Sequence, residues 1–213
     1  MARWGMAIDL VRCLGCQACV IACKQDHNIP SGVNWCRVIT GEIGTYPIAK
    51  LESWPVLCNH CYEPKCVNAC PTGASAHRED GVVTIDYDKC VGCRYCLIAC
   101  PYQARTYLSK FEQYFPGQGW LPSEEIAGKT YQTGVVVKCT FCTERLEAGQ
   151  KKGLNPGVDR EATPACVNIC PAEARYFGDL DDPESNISRL IVERGGIQNH
   201  PEYGTDPSVY YLR

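Results

Sequence analysis

Of 213 residues, 17 are cysteine, and all but one fall into four tight groups. The first is Cys13-x2-Cys16-x2-Cys19-x3-Cys23. The second is Cys58-x2-Cys61-x4-Cys66-x3-Cys70, closed by Pro71. The third is Cys90-x2-Cys93-x2-Cys96-x3-Cys100, closed by Pro101. The fourth opens with Cys139-x2-Cys142 and, after an insertion, ends with Cys166-x3-Cys170 and Pro171. Cys36 stands alone. Thiols in such numbers either crosslink the chain or bind metal. Disulfides have narrow geometric limits that cysteines two residues apart meet poorly. They also belong to secreted chains, and the opening Met-Ala-Arg-Trp-Gly-Met-Ala has neither the apolar core of a secretion signal nor a twin-arginine pair.

Between the metal chemistries, zinc sites commonly join two distant Cys-x2-Cys knuckles around one tetrahedral ion. Three cysteines in seven residues with a fourth four further on fit that scheme badly. They match the bacterial ferredoxin run Cys-x2-Cys-x2-Cys-x3-Cys-Pro, whose thiolates hold 4Fe–4S clusters. The spacing has a mechanical reason. A short loop with cysteines at i, i+3 and i+6 wraps three corners of a cubane, and the third and fourth cysteines stand one helical turn apart. The proline that follows turns the chain away. In two-cluster ferredoxins the fourth cysteine ligates the other cluster. Lys24 replaces that proline after Cys23, so spacing alone leaves the crossover of Cys23 open.

Four groups of four thiols saturate four cubanes, so no iron corner is open to a substrate, and electron transfer is the chemistry available. Outside the cysteines no catalytic constellation is visible, and neither a Walker A nor a Gly-x-Gly-x-x-Gly run occurs. His60, between Cys58 and Cys61, either tunes a cluster or faces solvent, and a residue in that place more often faces solvent. Lys24, Lys65, Lys89, Arg94, Lys138 and Arg145 lie near the motifs and either offset thiolate charge or form an ordinary surface. The four tryptophans and twelve tyrosines lie mostly between motifs, to shield clusters or meet partners. Cys36 reads as a small, buried, unligated thiol.

The elements that position these groups follow from reciprocity, since each crossover motif needs a partner motif. The expected fold is α+β: two ferredoxin-like modules, the central one inserted in the outer one, with long loops and little regular structure. Residues 1–50 with 106–180 form the outer module, 51–105 the central module, and 181–213 a C-terminal tail. After the second, third and fourth groups the chain repeats Pro-Thr-Gly-Ala-Ser, Pro-Tyr-Gln-Ala-Arg and Pro-Ala-Glu-Ala-Arg, the mark of a duplicated unit. Residues 81–88 read as a short strand after a turn at Glu79-Asp80-Gly81. Residues 112–134 and 149–164 read as loops. Residues 185–194 read as an amphipathic helix with Ile187, Leu190 and Ile191 on one side.

A formal net charge of −3 argues against nucleic-acid binding. No apolar run approaches the roughly 18 residues of a membrane span.

The four ordered motifs with the long gap inside the last, together with Cys58-Asn59-His60-Cys61, Cys70-Pro71-Thr72-Gly73-Ala74 and Lys138-Cys139-Thr140-Phe141-Cys142, resemble one family. It is the four-cluster iron–sulfur subunit of molybdopterin oxidoreductases of the dimethyl sulfoxide reductase and polysulfide reductase type. Gly5-Met6-Ala7-Ile8-Asp9-Leu10 and Gly178-Asp179-Leu180-Asp181-Asp182-Pro183 are most similar to respiratory arsenate, thiosulfate and tetrathionate reductase small subunits. The resemblance implies four 4Fe–4S clusters. One is held by Cys13, Cys16, Cys19 and Cys170, and a second by Cys23, Cys139, Cys142 and Cys166. A third is held by Cys58, Cys61, Cys66 and Cys100, and a fourth by Cys70, Cys90, Cys93 and Cys96. It also implies a large molybdenum- or tungsten-pterin catalytic partner and, in many relatives, a quinone-reactive membrane subunit. This chain itself is expected to be non-catalytic and to have no membrane span. Such subunits often travel folded with a signal-bearing partner, so the compartment stays open. The alternatives are an electron-transfer subunit of a hydrogenase or formate dehydrogenase and, from another class, a zinc-stapled interaction module.

Overall fold

Trp4-Gly5-Met6-Ala7-Ile8-Asp9 forms strand β1 (Trp4–Asp9), buried along its whole length. The computed structural model describes residues 2–213. After the first cysteine loop comes α1 (Ala18–Asp26), which buries Cys19, Val20 and Cys23. An antiparallel hairpin follows, β2 (Cys36–Ile43) against β3 (Lys50–Leu57), with Cys36 opposite Leu57. The second and third motifs carry α2 (Lys65–Asn68), β4 (Ser75–His77), β5 (Val83–Ile85), α3 (Tyr95–Ile98) and β6 (Arg105–Leu108). Then come α4 (Pro122–Thr130), β7 (Val135–Lys138), α5 (Thr143–Lys151), α6 (Ala165–Asn168) and β8 (Arg175–Asp179). The chain ends with α7 (Asn186–Glu193), β9 (Ile197–Gln198) and β10 (Val209–Leu212).

The proline rule shows directly in helix length. Where Pro71, Pro101 and Pro171 follow the fourth cysteine, the helices α2, α3 and α6 have only 4 residues. Where Lys24 stands instead, α1 runs for 9 residues and carries both Cys19 and Cys23. Each post-proline repeat ends on the first residue of a strand: Ser75 opens β4, Arg105 opens β6 and Arg175 opens β8. The strand after one motif pairs with the strand before another. β4 pairs with β5, β6 with β7, and β8 with β1, all antiparallel. Thus strand pairing links the exit of the fourth motif to the entry of the first, across the length of the chain. Cys19, Cys23, Cys36, Cys58, Cys139 and Cys166 are members of the hydrophobic core, among Trp4, Met6, Ile8, Leu108, Phe141 and Tyr211.

Three stretches hold more structure than their composition predicts. Residues 112–134, expected as a loop, contain α4. Pro122 starts it, and the Glu124 carboxylate accepts the amides of Leu121 and Tyr114, a cap assembled partly from outside the helix. Residues 149–164 include the last turn of α5 and a 3₁₀ turn at Arg160–Ala162. Residues 181–213 carry more than the expected short helix. β10 lies parallel to β1, Met6 opposite Val209, inside a four-stranded sheet ordered β8-β1-β10-β9. The helix itself lies where the 185–194 pattern predicts it. Ser185 caps it by accepting the amide of Ser188 at 3.2 Å, and Ile187, Leu190 and Ile191 pack with Ala7 and Leu212.

The end of α7 is tied to the start of the first cysteine loop. The buried carboxylate of Asp9 accepts the amides of Val11 at 2.9 Å and Arg12 at 3.0 Å, and is ion-paired with Arg194. Burial pushes the Asp9 pKa up, but Arg194 and these amides outweigh it and hold it below the usual carboxylate value. A depressed carboxylate stabilises the fold above its unfolded pKa of about 3.9 and loses that contribution as pH falls through the folded value. Asp9→Asn should therefore cost about 1–3 kcal/mol at neutral pH, the penalty of unmaking a buried charged hydrogen-bond set. The difference should shrink on acidification below roughly pH 4. Anaerobic thermal melts of both proteins across that range check it, and equal stability at neutral pH would refute it.

Candidate metal centres

The fold sorts the sixteen grouped thiols into four sets. Cys13, Cys16, Cys19 and Cys170 line one recess, together with Val38, Pro55 and Arg175. Cys70, Cys90, Cys93 and Cys96 line another, beside Arg105 and Val136. Cys61 faces Cys58, Cys66 and Cys100, and burial together with those three thiols pushes its pKa up to about 12. Cys23 is deeply buried facing Cys139, Cys166 and Cys142, and burial first, then these neighbours, hold its proton on far above the ordinary thiol value. We call these the first (Cys13), fourth (Cys70), third (Cys58) and second (Cys23) sets.

One backbone device recurs in all four groups. The residue before the second cysteine has a positive φ: Gly15 at 66°, His60 at 41°, Gly92 at 64° and Phe141 at 54°. This left-handed residue turns the two-residue spacer so that both thiols face inward. Glycine serves where space is short: a Cβ on Gly15 would lie 2.5 Å from Ser53 Oγ, and one on Gly92 would collide with the Gly134 carbonyl. His60 and Phe141 instead offset the strain by stacking on each other, ring centroids 3.8 Å apart. Backbone amides also reach the sulfurs, Ser75 to Cys70 at 3.4 Å and Ala174 to Cys170 at 3.3 Å.

His60 does not face solvent, contrary to the commoner expectation for its position. It is 0% exposed, and its Nδ1 accepts the amide of Val83 at 3.1 Å. Burial, reinforced by the charges of Lys138 and Arg105, pushes its pKa well below the ordinary histidine value, so the ring is neutral. The Phe141 contact that draws it inward lies about eighty positions away, beyond any local pattern. Cys36, read as an isolated thiol, is buried but has neighbours. It donates towards Cys19 Sγ at 3.9 Å and receives an N–H from Arg175 at 3.2 Å. Hydrogen bonding from Cys36, aided by Arg175, draws the Cys19 thiol below the ordinary thiol value.

Of the six basic residues near the motifs, only Lys138 enters the interior. Its ammonium donates to the carbonyls of Val83 and Cys139, and it faces Cys58 and Cys139. Lys24 caps the Val33 carbonyl at 2.8 Å, Lys89 pairs with Asp86, Arg145 grips Asp26, and Arg94 lies over the Tyr107 ring. The guanidiniums that do meet sulfur belong to Arg105 and Arg175, which proximity to the motifs does not single out. Their signal in the sequence is the last position of the post-proline repeat. His27 has no such signal: its Nε2 lies 3.1 Å from Cys142 Sγ, with Asp26 adjacent. Asp26 is engaged by Arg145, and Cys142 faces the second thiol set, so the three do not make a separate centre.

The donor chemistry fits iron–sulfur clusters. Each set offers four soft sulfur ligands and no carboxylate, the donor type that thiophilic iron takes, with each thiol losing its proton as it binds. The family models agree. Residues 49–115 match a 4Fe-4S dicluster domain and residues 12–26 a 4Fe-4S binding domain. The chain is 43% identical over its whole length to a dimethyl sulfoxide reductase-type iron–sulfur protein of Halobacterium salinarum, covering 79% of it. The chain is an iron–sulfur subunit of the dimethyl sulfoxide reductase family. This iron–sulfur subunit is also 41% identical to a subunit of the sulfite dehydrogenase of Allochromatium vinosum, with 100% of this chain and 83% of that one aligned. With the arsenate respiratory reductase iron–sulfur subunit of a Shewanella species it shares 37% identity, spanning 99% of this chain and 96% of that one. Its role is that of the family, electron transfer within an oxidoreductase complex. Among the described residues no helix is long and apolar enough to cross a membrane.

Proposed function

We propose that the chain is a wire of four 4Fe–4S clusters, held by the four thiol sets, between a molybdenum- or tungsten-pterin catalytic subunit and a quinone-reactive membrane subunit or soluble electron partner. The clusters, when bound, supply one-electron chemistry at positions fixed by the protein. With all four thiols of each set engaged, no metal corner is left for substrate, and the subunit is non-catalytic. The first and second sets belong to an outer module, residues 1–50 and 106–180. The third and fourth belong to the central module inserted in it, residues 51–105.

The observation that carries the reading is the graded exposure of the four sets. The first and fourth sets each contain an exposed cysteine, Cys16 and Cys93. Beside them lie exposed apolar side chains, Val11 and Leu14 (72% exposed) at one and Val91, Tyr95 and Ile98 (84%) at the other. The second set is wholly buried. It meets the third where Cys139 faces Cys58 and His60 stacks on Phe141. Two ends with an exposed thiol and a middle with none are what a relay between two partners requires, and apolar rims are what partners cover.

Anaerobically purified complex should contain about sixteen iron and sixteen sulfide for this chain, the content of four cubanes. Cys36→Ser should leave that content unchanged, because the other sixteen thiols already fill the four sets. Zinc with negligible sulfide would end the proposal, and loss of four irons in Cys36→Ser would show that the first set is drawn wrongly.

A further inference from the structure

Arg105 and Arg175 hold the same place in the repeated unit, the last residue of Pro101-Tyr102-Gln103-Ala104-Arg105 and of Pro171-Ala172-Glu173-Ala174-Arg175. Both are buried, at 6% and 4% exposure. Among the described residues neither takes part in an ion pair with a carboxylate. A buried cation without an anion is costly, so these two must find negative charge elsewhere, and the groups around them are sulfurs. Arg105 Nη2 donates to Cys66 Sγ at 3.0 Å, Nη1 donates to Ser75 Oγ at 2.8 Å, and the guanidinium also faces Cys58 and Cys96. Arg175 Nη2 lies 3.4 Å from Cys19 Sγ and 3.2 Å from Cys36 Sγ, and its guanidinium also faces Cys166.

The sets to which those cysteines belong give the pattern its meaning. Cys58 and Cys66 are in the third set and Cys96 in the fourth. Cys19 is in the first and Cys166 in the second. Each guanidinium therefore stands in the gap between the two thiol sets of one module, and duplication has placed one in each. We propose that Arg105 and Arg175 are the charge-compensating bridges of the central and outer modules, each raising the reduction potentials of both clusters it separates. The proposal rests on the four-cluster reading above.

The mechanism is electrostatic. Reduction adds one electron to a cluster and so one negative charge, much of it on the sulfurs. A fixed cation in a low-dielectric interior favours the more negative state, and N–H donors to cluster sulfurs raise the potential in the same sense. Arginine suits the place for two reasons. It keeps its proton at all physiological pH, and its planar fork carries enough donors to address two sets at once. Neither bridge touches a substrate; both act through the sulfurs.

The test uses the intact complex carrying Arg105→Met or Arg175→Met, which remove charge and donors while keeping a long side chain. Iron and sulfide are counted first. A wild-type complex without four cubanes would sink the underlying reading, whatever the arginines do. With content intact, potentiometric titration followed by electron paramagnetic resonance should find both central-module potentials lowered in Arg105→Met and both outer ones unmoved. Arg175→Met should give the converse, and Arg→Lys at either site should recover part of the shift. Unmoved potentials, or an equal shift of all four, would overturn the proposal. A variant that sheds its clusters does not end the test. In the unaltered complex grown with isotope-labelled arginine, pulsed resonance should detect guanidinium nitrogen coupled to reduced clusters of both modules, and absence of that coupling would overturn it equally.

Discussion

Replacing Cys93 by serine should stop electron exchange with the distal partner while leaving the Cys13 cluster reducible by substrate, since in the proposed relay the Cys13 set faces the catalytic subunit and the Cys93 set the far partner. Cys93 is the exposed member of the fourth set, held forward by the left-handed Gly92, with Val91, Tyr95 and Ile98 around it. It lies in the recess shared with Cys70, Cys90 and Cys96. Removing one corner thiolate should cost the fourth centre its cubane. Losing an outer-sphere partner alone typically costs about 10–100-fold in metal affinity or activity, so losing a ligand at the terminus should cost at least the upper figure in turnover with the distal acceptor. The first set lines a separate recess that has no lining residue in common with this one. Turnover with quinone or a soluble dye, and resonance spectra after substrate addition, measure the two ends separately. Distal turnover near the wild-type rate, or loss of the signal from the Cys13 centre instead, would refute a relay that runs from the Cys13 set at the catalytic subunit to the Cys93 set at the far partner.

Stripping iron and sulfide should unfold most of the chain rather than leave a hollow native scaffold. The helices that carry the ligands are too short to persist alone: α2, α3 and α6 have 4 residues each, where isolated helices below roughly 12 residues are marginal. Cys19, Cys23, Cys58, Cys139 and Cys166 belong to the core, so the metal centres occupy the place that hydrophobic packing fills in other domains. Arg105 and Arg175 would then lie buried without the negative charge of metal-bound thiolates. Removing the partner of a buried charge costs about 3–5 kcal/mol. Two such losses are comparable to a typical net stability of roughly 5–15 kcal/mol. Circular dichroism and dye binding after chelation should report loss of strand signal and exposure of apolar surface. A cooperative thermal transition retained by the metal-free chain would contradict this account.

How much of this was written in the sequence depends on the distance over which each feature is decided. The sixteen ligand candidates, their four groups and the stop after the fourth cysteine were legible, because thiol spacing and proline act within one or two helical turns. The contrast between α1 and the three short helices follows from Lys24 against Pro71, Pro101 and Pro171 alone. The α7 helix was legible for the same reason, its Ser185 cap and its Ile187, Leu190 and Ile191 stripe both being local. Tertiary structure decided which polar groups go inside. Of the six basic residues that proximity in sequence singled out only Lys138 went inside, and the interior also took Arg105 and Arg175, because burial of a cation is set by the anions that the whole fold brings to it. His60 turned inward because Phe141 was there to stack on, and α4 formed where the Glu124 carboxylate met amides on both sides of a turn. β10 became a central strand because β1, about two hundred residues before it in the chain, offered it an edge with buried neighbours. Local sequence determines what a segment can do with its own backbone and its own thiols; which charges, rings and strands meet is settled only when distant segments compete for the same buried space.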